Sequence, residues 1–297
     1  MTARSHLFIA SILLVLAAPT LASAQMFTGE LPGRDAGDTQ SRIAGEMGLY
    51  VYDQGPTEAA LAQPSFYASF GLLDSRSGGF LDLDLAWRAA GSAGDISAFR
   101  AGNPYVGIRG GFRDRRDRWR FRVGAGATAP LMSLYDDYRA PGDIEAVFTV
   151  TVANAMQGNL DAWLLAPLTA SLVVRADFEY RGDAWGIGVD SAFAAMLPVE
   201  YNDRTGDTTY AAQLGVFALG RPVDALAIGG RFQAVMLDSS RDGTSPEGYL
   251  ALIPFIRGEF GGGFIEGRLV MNLDEPLGFA FDDGNVWAVY VSGGANF

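Results

Sequence analysis

The sequence predicts an all-β fold: a transmembrane antiparallel up-and-down β-barrel of about fourteen strands, with twelve as the alternative. Three observations carry the prediction. Apolar and polar side chains alternate through many runs of ten or more residues, long and short connections follow one another, and the chain opens with a segment shaped like an export signal.

The export signal comes first in the chain. Arg4 gives a positive start, Leu7 to Ala18 is apolar but for Ser11, and Ala22-Ser23-Ala24 has the small-x-small form of a cleavage site. Residues 1–24 are therefore read as a signal peptide cleaved near Ala24, with Gln25 opening the mature chain. Residues 25–41, polar and rich in Gly, Asp and Thr, read as a flexible periplasmic lead-in to a barrel over 42–297. Beyond Gln25 no apolar stretch reaches 18 residues, so a membrane-spanning helix is not expected.

From Arg42 onward the period is two. In 81–88, Leu81, Leu83, Leu85 and Trp87 share one face, while Asp82, Asp84 and Arg88 share the other. In 118–129, Trp119, Phe121, Val123, Ala125 and Ala127 alternate with Arg118, Arg120, Arg122, Gly124 and Gly126. A helix would spread those charges around its axis; a strand collects them on one side. Similar runs lie near 44–53, 64–73, 104–113, 144–153, 168–180, 185–199, 208–219, 225–237, 249–259, 263–273 and 286–297. Sandwich strands usually hold about five or six residues, so these runs suit a tilted membrane crossing better.

The connections at 54–62, 90–102 and 130–143 are long, and those at 74–79 and 113–117 are short. The order slips between 154 and 168. It is restored if Leu160 to Pro167 forms one more short strand, which gives about fourteen. If that segment is a short helix or an irregular turn, twelve is the number. Later connections at 201–207, 238–247 and 274–284 then fall on the extracellular side. The extracellular segments hold acids such as Glu58, Asp95, Asp207 and Glu247 well in excess of Arg100, Arg139, Arg204 and Arg241.

Composition narrows the chemistry. Cysteine is absent, every one of the 22 basic residues is Arg, and the only histidine, His6, leaves with the signal peptide. A net charge of -12 excludes a nucleic-acid partner, which requires a basic face. A serine or aspartate nucleophile would lack its usual base. Asp82 with Asp84, or Asp177 with Glu179, are the remaining acid pairs, and at this spacing they are expected to pair with arginines instead. Asp282-Asp283-Gly284-Asn285 lacks the spacing of a calcium loop. No enzyme activity, metal or cofactor is expected.

The lumen carries the functional expectation. Arg109, Arg113, Arg118, Arg120 and Arg122 fall on two neighbouring strands joined by a tight turn. Asp82, Asp84 and Arg88 lie on the strand before them, and Glu46 faces the same interior. A basic ladder opposed by acids sets a field that favours anionic solutes, as charge rings do in pores; the other reading is a lumen braced by salt bridges. Trp87, Trp119 and Trp185 read as interfacial girdle residues.

The chain ends in Phe297, preceded at alternate positions by Ala295, Gly293, Val291, Val289 and Trp287. This run resembles the last strand of the bacterial outer-membrane β-barrel superfamily, differing in having Ala295 where an aromatic is common. The resemblance implies an outer-membrane location in a Gram-negative cell. It also implies recognition of Phe297, Val291 and Val289 by the barrel assembly machinery, and contact with membrane lipid and lipopolysaccharide. The barrel enzymes of that superfamily use an active-site histidine, which the mature chain lacks. The expected function is a porin-like channel for passive diffusion of small, preferably anionic solutes. The alternative is a closed barrel with a structural or surface role and no transport.

Overall fold

The computed structural model describes residues 41–54, 57–75, 77–114, 118–133, 141–199, 207–239, 247–260, 262–273 and 286–296. Residues 1–40, expected to be a signal peptide and lead-in, Phe297 and most of the acidic segments expected to be extracellular lie outside these residues. The strands are β1 (Arg42–Gln54), β2 (Thr57–Asp74), β3 (Gly79–Gly94), β4 (Ala98–Ala101), β5 (Tyr105–Arg113), β6 (Trp119–Thr128) and β7 (Thr169–Arg181). They continue with β8 (Trp185–Pro198), β9 (Thr209–Val223), β10 (Leu226–Ser239), β11 (Glu247–Phe260), β12 (Gly263–Asn272) and β13 (Trp287–Asn296).

Each wall strand pairs antiparallel with its neighbours in sequence, and β13 returns to β1 from Arg42↔Asn296 to Leu49↔Val289. The barrel therefore closes with twelve strands. The short β4 stands outside the ring, paired only with Ala89 to Ser92 of β3. Closure removes the free sheet edges, as spanning a membrane with strands requires.

Alternation sets which side of the wall each residue takes. Along β9, Tyr210, Ala212, Leu214, Val216 and Ala218 are exposed while Ala211, Gln213, Gly215, Phe217 and Leu219 are buried. Around the ring, Val123, Val174, Val189, Phe232, Ile256 and Val289 are among many large apolar side chains left exposed. An apolar band facing outward around a charged interior is the arrangement of a membrane barrel. Trp119 and Trp185 are exposed at strand starts, as a girdle requires; Trp87 sits within β3, and its indole N–H donates to Gly102 O.

Tight turns join β2–β3, β5–β6, β7–β8, β9–β10 and β11–β12 at the end of the barrel where β1 starts and β13 stops, here the turn end. In the first of these Gly78 has φ +94, and a Cβ there would lie 2.2 Å from Arg113 O, so only glycine fits. At the opposite, loop end only residues 55–56 separate β1 from β2, so the long connection expected over 54–62 is mostly paired strand, and the remaining connections at that end are longer.

Of the two expected strand numbers the structure has twelve, and the difference from fourteen lies in one place. Residues 144–153 form no strand; they lie in helix α1 (Pro141–Met156). Leu160 to Pro167 is no strand either: Ala162–Leu165 is a 3-10 turn. Ala146, Thr149, Val150 and Ala153 are buried while Val147 and Thr151, four apart, are exposed, which is helical spacing. Chain direction then stays in phase, because the whole β6–β7 crossover counts as one long connection at the loop end.

Candidate functional site: an occluded lumen

The described part of the β6–β7 crossover, residues 129–133 and 141–168, folds into the barrel instead of arching over it. Trp163, Leu164 and Leu165 are 0% exposed. Trp163 and Leu164 share a cluster with Ala44, Tyr67, Ala86, Tyr105, Val173 and Phe264, which come from strands on all sides of the ring. Higher up, Val152, Ala155 and Met156 pack against Tyr50, Leu61, Ile253, Val270 and Tyr290. Ala146, Val150, Ala153 and Leu165 meet Met132 and Ala90. Each large apolar side chain so buried contributes about 1.5–3 kcal/mol, and this burial dominates the segment's stability.

Polar side chains of the wall fix where the segment sits, by binding its backbone carbonyls. Gln63 Nε2 donates to Ala153 O at 2.7 Å, and Asn272 Nδ2 to Ala155 O at 2.9 Å. Gln233 Nε2 donates to Gln157 O and Gly158 O, both at 3.1 Å. Arg88 Nη1 donates to Leu160 O at 2.9 Å, and Asn103 Nδ2 to Trp163 O and Ala166 O at 3.2 and 2.7 Å. Each neutral bond adds only about 0.5–1.5 kcal/mol net, yet leaving any of these buried groups unmet would cost more. Sequence reasoning missed Gln63, Asn103, Gln213, Gln233 and Asn272, because an inward amide has the same pattern as any lumen residue.

The tip of the segment is conformationally unusual. Gly158, Asn159 and Asp161 are left-handed at φ +59, +58 and +53, and Leu168, at the return into β7, is left-handed at φ +55. Asn and Asp tolerate that region; leucine does so at a cost of roughly 1–2 kcal/mol. Asp161 is wholly buried. Its Oδ1 accepts from Arg175 Nη2 and Gln213 Nε2, both at 3.0 Å, while its own N–H donates to Gln213 Oε1 at 3.1 Å. The Arg175 guanidinium lies over the rings of Tyr105 and Trp163, 5.3 and 5.2 Å from their centroids.

The predicted lumen residues take these places. Asp84 and Arg109 pair at 3.2 Å across β3 and β5, and Asp82 stands opposite Arg109 in the register. Arg113 pairs with Asp74, and Arg122 with Asp177. Arg120 is buried on the same inner face. Arg88, 0% exposed, serves the segment and donates to the Tyr67 hydroxyl at 3.2 Å. Glu46 is ion-paired with Arg268 at 2.6 Å and accepts from Gln157 Nε2 at 3.2 Å, so it faces the interior. Arg118 departs from its expected place: it precedes β6, is exposed at the turn end, and its backbone N–H is held by Asp114. Val289 and Val291 are exposed on the outer face of β13.

Further pairs that sequence reading did not single out continue the pattern. Arg231 holds Asp190, Arg257 holds Glu266 at 2.9 Å, Arg181 holds Glu179 at 3.1 Å, and Arg221 holds Glu259 at 3.1 Å. Most of the arginines expected to present a field to solute are thus matched by a carboxylate within the wall. Among the described residues no cluster of acids, His or Cys is suited to hold a metal ion.

The chain matches no protein-family profile and no curated protein sequence. Its structure is similar to an outer membrane channel from Pseudomonas putida F1, at a TM-score of 0.60 and 10% identity, covering 89% of this chain and 100% of that one. It is more distantly similar to the transport unit of the autotransporter AIDA-I from Escherichia coli, with a TM-score of 0.47, 9% identity, and 91% and 94% coverage. OmpT, an outer membrane protein of Vibrio cholerae, gives 0.41 at 9% identity, with 90% and 100% coverage. The fold is that of the bacterial outer-membrane β-barrels.

Proposed function

We propose that this chain resides in the bacterial outer membrane, exported by its signal peptide, as a barrel that is closed at rest and passes no freely diffusing solute. The observation that carries this reading is the buried crossover, with Trp163, Leu164 and Leu165 fully enclosed between opposite walls. The ion-paired arginines support it, since a pore would leave its charges to water. On this reading the role is structural or exercised at the surface, through the acidic loops.

A channel is the second reading. It is favoured by the likeness to an outer membrane channel and by one geometric fact. The crossover leaves Thr128 and returns at Thr169 at the same end of the barrel, and Thr128 pairs with Ser171. The segment can therefore withdraw without unthreading any strand. Solutes then pass only while it is out, and the arginine-rich wall below favours anions.

The deciding experiment is conductance of the refolded mature protein in a planar bilayer. It is compared with a variant in which residues 130–167 are replaced by a hairpin turn of about four residues. A silent native protein and a conducting variant support the closed reading. Frequent discrete steps from the native protein overturn it in favour of the channel. Outer-membrane residence is checked by cell fractionation, and recovery in the soluble periplasmic fraction rejects it.

A further inference from the structure

We infer that the Asp161–Arg175 pair is a latch: among the described residues it is the one ion pair between the in-folded segment and the wall, and it holds the segment inside the lumen and sets how often it leaves. The inference rests on the closed-barrel reading above.

From Val147 to Leu168 the only charged residue is Asp161. The other polar contacts described between that stretch and the wall are made to its backbone, to the Gln157 amide by Glu46 and to the Thr149 hydroxyl by Ser92, so none of them joins two charges. Asp161 is different. Its carboxylate lies fully buried against Arg175 and Gln213, and if the segment shifts, Arg175 remains behind in the wall without it. Separating a buried pair in this way is far costlier than breaking a neutral bond. The arginine is itself held in place between Tyr105 of β5 and Trp163 of the segment. The left-handed residues Asn159, Asp161 and Leu168 flank the pair, so the backbone around it is constrained in its docked shape and gains freedom once released. A strong single contact within a constrained turn makes a two-state device, docked or withdrawn.

The chain has no cysteine, so a single Ala155→Cys reporter, buried beneath the segment's contacts, reads withdrawal directly. Its rate of modification by a water-soluble maleimide is measured in otherwise native protein and in the Asp161→Asn, Asp161→Leu, Arg175→Met and Asp161→Leu/Arg175→Met backgrounds. Heat-modifiable gel migration confirms that each barrel is closed. The single charge-breaking variants are expected to label about a hundredfold faster and to conduct in a bilayer, because each removes one half of a buried ion pair. The double variant is expected to return to slow labelling and silence, since neither charge remains.

Slow labelling in every folded single variant, while the hairpin-replaced variant conducts, overturns the latch and leaves the closed reading intact. A double variant as open as the singles also overturns it, because the effect is then packing, not charge. Should Asp161→Leu fail to fold, the near-isosteric Asp161→Asn decides by the same readouts. Conduction by the native protein overturns the closed reading itself.

Discussion

Arg88 reaches from β3 to Leu160, its Nη1 donating to that residue's carbonyl oxygen at 2.9 Å while Nη2 donates to the Tyr67 hydroxyl. A fully buried guanidinium thus ends on a backbone atom of the in-folded segment rather than on a carboxylate. Arg88→Met keeps much of the volume and removes both bonds. The expected cost is about 3–6 kcal/mol, since hydrogen bonds from a charged donor count about 1.5–3 kcal/mol each. The midpoint temperature of the heat-modifiable gel shift measures it; an unchanged midpoint refutes the assignment.

Val189 and Asp190 are sequence neighbours on opposite faces of β8, one exposed outward, the other bound to Arg231. Val189→Arg places a charge in the apolar band and costs about 2–4 kcal/mol near the bilayer midplane. Asp190→Leu breaks the buried pair with Arg231 and costs about 3–5 kcal/mol, most of which returns in Asp190→Leu/Arg231→Met. Urea unfolding in lipid vesicles reads all three. A loss in the double variant as large as in Asp190→Leu would show that the cost does not come from the charge left on Arg231.

In the conducting variant with residues 130–167 replaced, the wall arginines face open lumen. Exchanging Arg109, Arg120 and Arg122 for Gln removes three positive charges and takes the arginine partners from Asp84 and Asp177, and the reversal potential in a salt gradient moves toward cation preference. Arg118→Gln, at the exposed turn, leaves the potential where it was. A shift of the same size from Arg118→Gln would refute this placement.

A relay of contacts supports the segment from β1. A Cβ on Gly48 would lie 2.3 Å from the Tyr290 ring, whose hydroxyl donates to Gln63 Oε1 at 2.6 Å. Gln63 in turn holds Ala153 O. Gly48→Ala is expected to displace Tyr290 and cost about 1–3 kcal/mol as an overpacked site. It also speeds maleimide labelling of Ala155→Cys, while Gly45→Ala, with open space around its Cβ, changes neither.

The wall was legible in the sequence because membrane on one side and lumen on the other write period two into every strand. The runs near 104–113, 168–180 and 263–273 match β5, β7 and β12 within a residue or two. Helix α1 was not legible. Ile144, Ala146, Phe148, Val150 and Val152 alternate with polar residues, but a helix surrounded by barrel wall needs no single apolar stripe, so its own period is blurred. The residues that dock it were hidden for a related reason. Gln63 or Asn272 differs from an ordinary lumen amide only in what lies 3 Å away, and that partner belongs to a segment distant in sequence.

The seam between β1 and β13 has a kinetic consequence. It joins the two most distant strands of the chain, from Arg42↔Asn296 onward, and so carries the largest loop-closure entropy of any pairing in the wall. The hairpins, built from near neighbours, form earlier. The crossover between β6 and β7 can dock only against a wall that already encircles it, since its contacts span β2, β3, β9, β10 and β12. Ring closure therefore precedes filling. Maturation passes through a barrel that is complete in its wall and still hollow, and the time spent in that state is the time for which the membrane leaks.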